Sequence, residues 1–119
     1  MPPDAVDDDF CYLTTRGRST GKPHEIEIWF AADRDTLYML SGGRDRSDWI
    51  RNLVADSTVT VRVGGATFAA TARVVDDPDE ARRARTLVFD KYQPRYSGKL
   101  EGWRESALPV AVDLVADQS

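Results

Sequence analysis

Hydrophobic and polar positions alternate along much of this chain, and the alternation predicts strands. Residues 10–15, Phe10-Cys11-Tyr12-Leu13-Thr14-Thr15, are rich in aromatic and β-branched types and read as a first strand. Two glycines, a proline and two hydroxyls then mark Gly17 to Pro23 as a turn. Residues 25–32 alternate again, with Ile26, Ile28 and Phe30 on one side and Glu25, Glu27 and Trp29 on the other. Asp33-Arg34-Asp35 predicts a hairpin turn and Leu37 to Ser41 the returning strand. Val59 to Val63 alternates with the same period, Gly64-Gly65 makes a tight connection, and Thr67 to Val75 returns. Leu108 to Val115 is a last strand.

Two segments carry the helical period instead. Gly42-Gly43 breaks the strand before it, and Ser47 or Asp48 can cap a short helix bearing Trp49, Ile50, Leu53 and Val54. Asp76-Asp77-Pro78-Asp79 opens a second helix, with acids where the helix dipole favours them. Ala81, Ala84, Leu87, Val88 and Tyr92 form its apolar stripe, and Pro94 ends it. Residues 95–106 read as irregular or partly helical. The expected fold is mainly β (α+β), with about six antiparallel strands in hairpin order and two or three short helices. A sheet with so few helices to cover it tends to close on itself, which favours a small β-barrel over a sandwich.

Composition narrows the class. The 119 residues suit a single domain, 1–119, with 1–9 expected to be flexible. No apolar run is long enough to span a bilayer. The acidic start, with Asp4, Asp7, Asp8 and Asp9, does not resemble a signal peptide, and the lone Cys11 gives no internal disulfide. Cys11 reads as a small buried hydrophobe, and a cytoplasmic location is expected. A net charge of -4 argues against a general nucleic-acid binder. Arg16, Arg18, Lys22 and His24 nevertheless stand in a stretch without an acid, which suits a small anion. There is no dinucleotide-type glycine turn and no P-loop. One His and one Cys do not make a zinc site, so no metal is expected. No catalytic side chain stands out, so any chemistry falls to a bound cofactor.

Two constellations carry candidate chemistry. In the turn from Thr14 to His24, Ser19 and Thr20 offer hydroxyls, Arg18 a planar fork and Lys22 a point charge, a set that matches phosphate. From Leu40 to Leu53, Ser41, Gly42 and Gly43 allow close backbone approach, and the next helix offers free N–H groups near Ser47. Trp49 adds a flat apolar surface and Asn52 a hydrogen-bonding amide one turn later.

Thr15-Arg16-Gly17-Arg18-Ser19-Thr20-Gly21-Lys22-Pro23-His24, followed by Ser41-Gly42-Gly43 and Trp49-Ile50-Arg51-Asn52-Leu53, resembles the deazaflavin-dependent nitroreductase and quinone reductase family. The likeness runs from about residue 10 to 76. It implies a split β-barrel of the FMN-binding type and a homodimer. It also implies coenzyme F-420 as cofactor, with hydride transfer to a quinone, nitro or other small acceptor. By position, Arg18, Ser19, Thr20, Lys22 and His24 would face the cofactor's phosphate and acidic tail. Ser41, Gly42, Gly43, Ser47, Trp49, Asn52 and Leu53 would lie by its ring. Trp29, Tyr92 and Tyr96 would stand on the acceptor side. The chain departs from the family pattern at Ser19 and His24, where a lysine and an arginine are usual. Two alternatives share this reading: a non-catalytic F-420, FMN or apolar-ligand binder, and an FMN-dependent enzyme of the pyridoxamine-phosphate-oxidase type.

Overall fold

A computed structural model describes residues 8–43, 46–96 and 98–115. The flexibility expected of residues 1–9 falls mostly outside them. The strands are β1 (Cys11–Arg16), β2 (Pro23–Ile28), β3 (Ala31–Asp33), β4 (Thr36–Ser41), β5 (Thr58–Val63), β6 (Ala66–Val74) and β7 (Leu108–Leu114). The helices are α1 (Asp48–Ala55), α2 (Pro78–Tyr92) and α3 (Glu101–Ser106), with a 3-10 turn at Gln93–Arg95. All strand pairings are antiparallel, in the order β2-β1-β5-β6-β7-β4-β3.

The stretch expected as one strand over residues 25–32 is two, which makes seven strands. β2 ends at Ile28 and β3 begins at Ala31, and these strands form the two opposite edges of the sheet. Six gaps of about 4.8 Å would set the edges of a flat seven-stranded sheet roughly 29 Å apart. The link Trp29-Phe30 lets the chain advance only about 11 Å at full extension. The sheet therefore has to curl until its edges approach, which is the barrel expected from the sequence. Simple hairpin order holds for β1–β2, β3–β4 and β5–β6. It fails for β7, which inserts between β6 and β4 and pairs with both.

Turn chemistry supports the pairings. Gly64 and Gly65 both have positive φ (59° and 80°), the backbone that a two-residue hairpin between twisted strands requires. Arg34 takes the same left-handed region (φ 58°) in the turn between β3 and β4.

The core lies on both sides of the sheet. Leu13, Met39, Val61, Val110 and Val112 fill the concave interior, and Ile50 and Leu53 of α1 enter it from one end. The next residues along the same strands, Tyr38, Leu40 and Ala111, face outward and are covered by Ala84, Val88 and Tyr92 of α2. β4 and β7 are thus buried on both faces, which is why they read as continuous apolar runs. The Asp77 side chain caps α2 by accepting from the Glu80 N–H at 2.9 Å. Among the described residues no helix is long and apolar enough to cross a membrane.

Candidate functional site

The β1–β2 hairpin builds the site. Its register pairs Thr15 with His24 and Leu13 with Ile26, so these four side chains share the concave face. The turn is closed by Gly17 N–H to the Lys22 carbonyl and Gly21 N–H to the Gly17 carbonyl, both 2.8 Å. Gly21 takes φ +72°, and a Cβ on Gly17 would stand 2.7 Å from His24 Nε2. The positive φ makes glycine the fitting residue at Gly21, whereas a side chain at Gly17 would have to push the exposed His24 ring aside.

Helix α1 holds this turn from the side. Asn52 is buried (4% exposed), and its Oδ1 accepts from the Arg18 backbone N–H at 3.2 Å and from Arg18 Nη1 at 2.8 Å. Its Nδ2 donates to Thr15 Oγ1 at 3.3 Å. Arg18 Nη2 reaches Asp48 Oδ1 at 3.3 Å, one turn earlier on the helix. The Arg18 guanidinium thus arrives oriented rather than free. Between turn and helix lies an open cavity of about 570 Å³.

Six of the expected cofactor residues line that cavity: Arg18, Ser19, Thr20, His24, Trp49 and Asn52. Lys22 stands exposed in the turn and does not line it. Ser41 is buried and its Oγ meets Ser47 Oγ at 3.0 Å, so Ser47 occupies the N-cap position without capping α1. Gly42 and Gly43 are exposed, and a Cβ on Gly42 would touch the Trp103 indole at 3.4 Å. Leu53 does not reach the cavity. It is 1% exposed and packs in the barrel interior with Ile50, its neighbour one helical turn back. Asn52 is likewise spent on the protein, so its role is to position Arg18 and Thr15.

Thr15, Ile26, Glu25 and Asp48 line the cavity too, although sequence reasoning passed over them. The hairpin register carries the signal for the first two, and the spacing of four from Asp48 to Asn52 carries it for the last. Glu25 and Asp48 change the electrostatics. The lining holds one guanidinium against two carboxylates, and Arg62 on β5 meets Glu25 at 3.4 Å. The positive island expected over residues 16–24 is dispersed, with Arg16 turned to Asp56 at 3.8 Å.

A separate aromatic cluster gathers Trp29, Tyr92 and Tyr96. Trp29 stacks on Tyr92 with centroids 4.3 Å apart and planes 2° from parallel. Tyr96 and Trp103 meet its edge at 5.9 and 5.7 Å. Phe10, Trp29, Tyr92 and Tyr96 line a hollow of about 150 Å³ that shares no residue with the larger cavity. The Tyr92 hydroxyl is occupied: it accepts from the Phe30 N–H at 3.0 Å and lies 2.8 Å from the Asp9 carbonyl. Burial pushes its pKa up to about 12, so it stays protonated. Cys11 is also buried, and burial pushes its thiol up to about 12. Among the described residues no three His, Cys, Asp or Glu side chains are placed to hold a metal ion.

Comparison with known proteins agrees with the fold. An "F420-H2 dependent reductase" is 21% identical, with a TM-score of 0.69 over 88% of this chain and 93% of that one. A protein described as a domain-swapped dimer is 22% identical, with a TM-score of 0.72 over 91% of this chain and 81% of that one. A heme storage protein of Vibrio cholerae is 14% identical, with a TM-score of 0.71 over 92% of this chain and 83% of that one. These likenesses establish a shared split-barrel architecture. A family model described as "F420H(2)-dependent quinone reductase" matches residues 5–115.

Proposed function

The chain belongs to the F420H(2)-dependent quinone reductase family, and from this premise we propose that it reduces a quinone, a nitro compound or a similar small acceptor with hydride from reduced coenzyme F-420. Its dependence on F-420 as a reductase follows from the family. The acceptor and the residue roles are our reading. Bound in its reduced form, the cofactor supplies the hydride, while the chain's own side chains bind, orient and exclude water.

The observation that carries the reading is the pre-positioned Arg18 in the cavity between turn and helix. The lining fits a phosphate-bearing, ring-bearing ligand. Arg18 and the exposed Ser19 and Thr20 hydroxyls suit the phosphate, and Trp49 offers a flat face to the ring. The aromatic hollow at Trp29, Tyr92 and Tyr96 would receive the acceptor through ring stacking, because the Tyr92 hydroxyl is already engaged. We place the enzyme in the cytoplasm as a homodimer, a state supported by the dimeric relative.

Titration with F-420 should quench tryptophan fluorescence through Trp49. Arg18→Gln should weaken binding roughly tenfold or more, the loss of one charge-assisted hydrogen bond to an anion. Reduced F-420 should be oxidised above the protein-free rate when menadione is present. Binding without turnover on menadione or a nitro compound would sink the acceptor reading. Binding of FMN but not F-420 would sink the cofactor assignment.

A further inference from the structure

A second cavity, of about 400 Å³, lies between α2 and α3 and has no part in the reading above. Arg82 and Arg85 of α2 line it from one side and Arg104 of α3 from the other. Arg82 and Arg85 are three residues apart and so share a helix face. Glu105 is the only carboxylate in the lining among the described residues. Asp79 pairs with Arg82 from outside the lining, so the three guanidiniums keep one positive charge in excess, the reverse of the cofactor cavity.

The guanidiniums are poorly satisfied by the protein. Arg85 Nε is closed off from solvent and has no hydrogen-bond partner among the described residues. The remaining contact of that side chain is a long one, Nη2 to the Ala107 carbonyl at 3.4 Å. Arg104 lies over the Phe89 ring, 4.8 Å from its centroid, and pairs with no carboxylate among the described residues. Arg82 meets only Asp79, at 3.2 Å and in solvent. Elsewhere the pattern differs: Arg73 and Arg83 both have carboxylate partners. The Nε is closed to a ligand as it is to water, so an anion in the cavity would be met by the Nη atoms of Arg85 and by Arg104.

We propose that the α2–α3 cavity binds a phosphate-type anion, either free phosphate or the phosphoryl group of a second small molecule. Arg85 and Arg104, neither paired with a carboxylate among the described residues, face the single carboxylate of Glu105, and that surplus favours an anion. The guanidinium fork of Arg85, with Arg104 held in place by the Phe89 ring, supplies donors from both helices.

Titration of the full-length protein with inorganic phosphate, followed by the Nε–Hε NMR signals of its arginines, tests this. Saturable binding should move the Arg85 and Arg104 signals, and phosphate should bind more tightly than acetate. Arg104→Gln should weaken phosphate binding roughly tenfold or more, and this variant leaves the half-buried Arg85 in place should Arg85→Gln fail to fold. Phenyl phosphate binding as well as phosphate assigns the site to an ester; binding of phosphate alone assigns it to the free ion. Shifts confined to Arg18, no saturable binding, or an Arg104→Gln protein that binds phosphate unchanged would each overturn the proposal.

Discussion

Asn52 makes contacts that an alanine could not replace. One buried amide orders the end of β1 through Thr15 and the turn through both the backbone and the guanidinium of Arg18. Asn52→Ala should therefore cost about 2 kcal/mol or more of stability, because it strands buried donors and acceptors as well as losing their bonds. Urea unfolding measures that loss. Asn52→Ala should also weaken F-420 binding severalfold, because Arg18 is no longer held at the cavity; unchanged affinity would show that the orientation of Arg18 is immaterial. From the sequence, Asn52 was recognisable as a polar residue beside the turn, but not as spent on the protein. Its partners lie 34 and 37 residues away and depend on how α1 docks. Leu53 could have been read better. Ile50 and Leu53 share one face of α1 and Trp49 and Asn52 another, so the core and cavity faces were separable by period alone.

Beyond its apolar packing, helix α2 is tied to several strands through one carboxylate. Glu80 accepts from both Arg73 Nη atoms, at 2.7 and 2.8 Å, and from the Tyr38 hydroxyl at 2.8 Å. Arg73 also meets Asp113 at 2.9 Å, so α2, β4, β6 and β7 are joined. The Arg73 hydrogen bonds, with smaller help from Tyr38 and Arg83, hold the Glu80 carboxyl down to about 2 from an ordinary 4.5. A carboxyl depressed in the folded state stabilises fully above its unfolded pKa and loses that stabilisation as pH falls through its folded one. The Glu80 contribution should thus be complete above pH 4.5 and fade toward pH 2. Glu80→Gln should unfold more easily at neutral pH and differ less from the parent as acid is added, as thermal melts across that range would reveal. The helix itself was legible, from its Asp77 cap to its apolar stripe. Its anchor was not, because Arg73 and Asp113 come together only when β7 slots beside β6. The same limit hid the fate of the basic turn, whose charges are met by Asp48 and Asp56 from the next helix and its end.

At the scale of the whole molecule, strand content was legible and strand order was not. Alternation runs on from Ile28 through Phe30, so periodicity sees one strand where the chain leaves one sheet edge and joins the other. Both neighbours stay half-buried or buried, and nothing in a period of two marks the crossing. The Trp29-Phe30 link therefore acts as a tether that sets the effective concentration of one edge at the other. Inserting four glycine and serine residues between Ile28 and Trp29 leaves every strand and the Trp29–Tyr92 stack in sequence. By loop entropy alone the cost should be about 1 kcal/mol. Urea unfolding should read that cost, and a much larger loss would show that the link does more than hold the edges together. A link of two residues thus keeps the two edges at high effective concentration, and its length is the quantity through which closure of the barrel can be tuned.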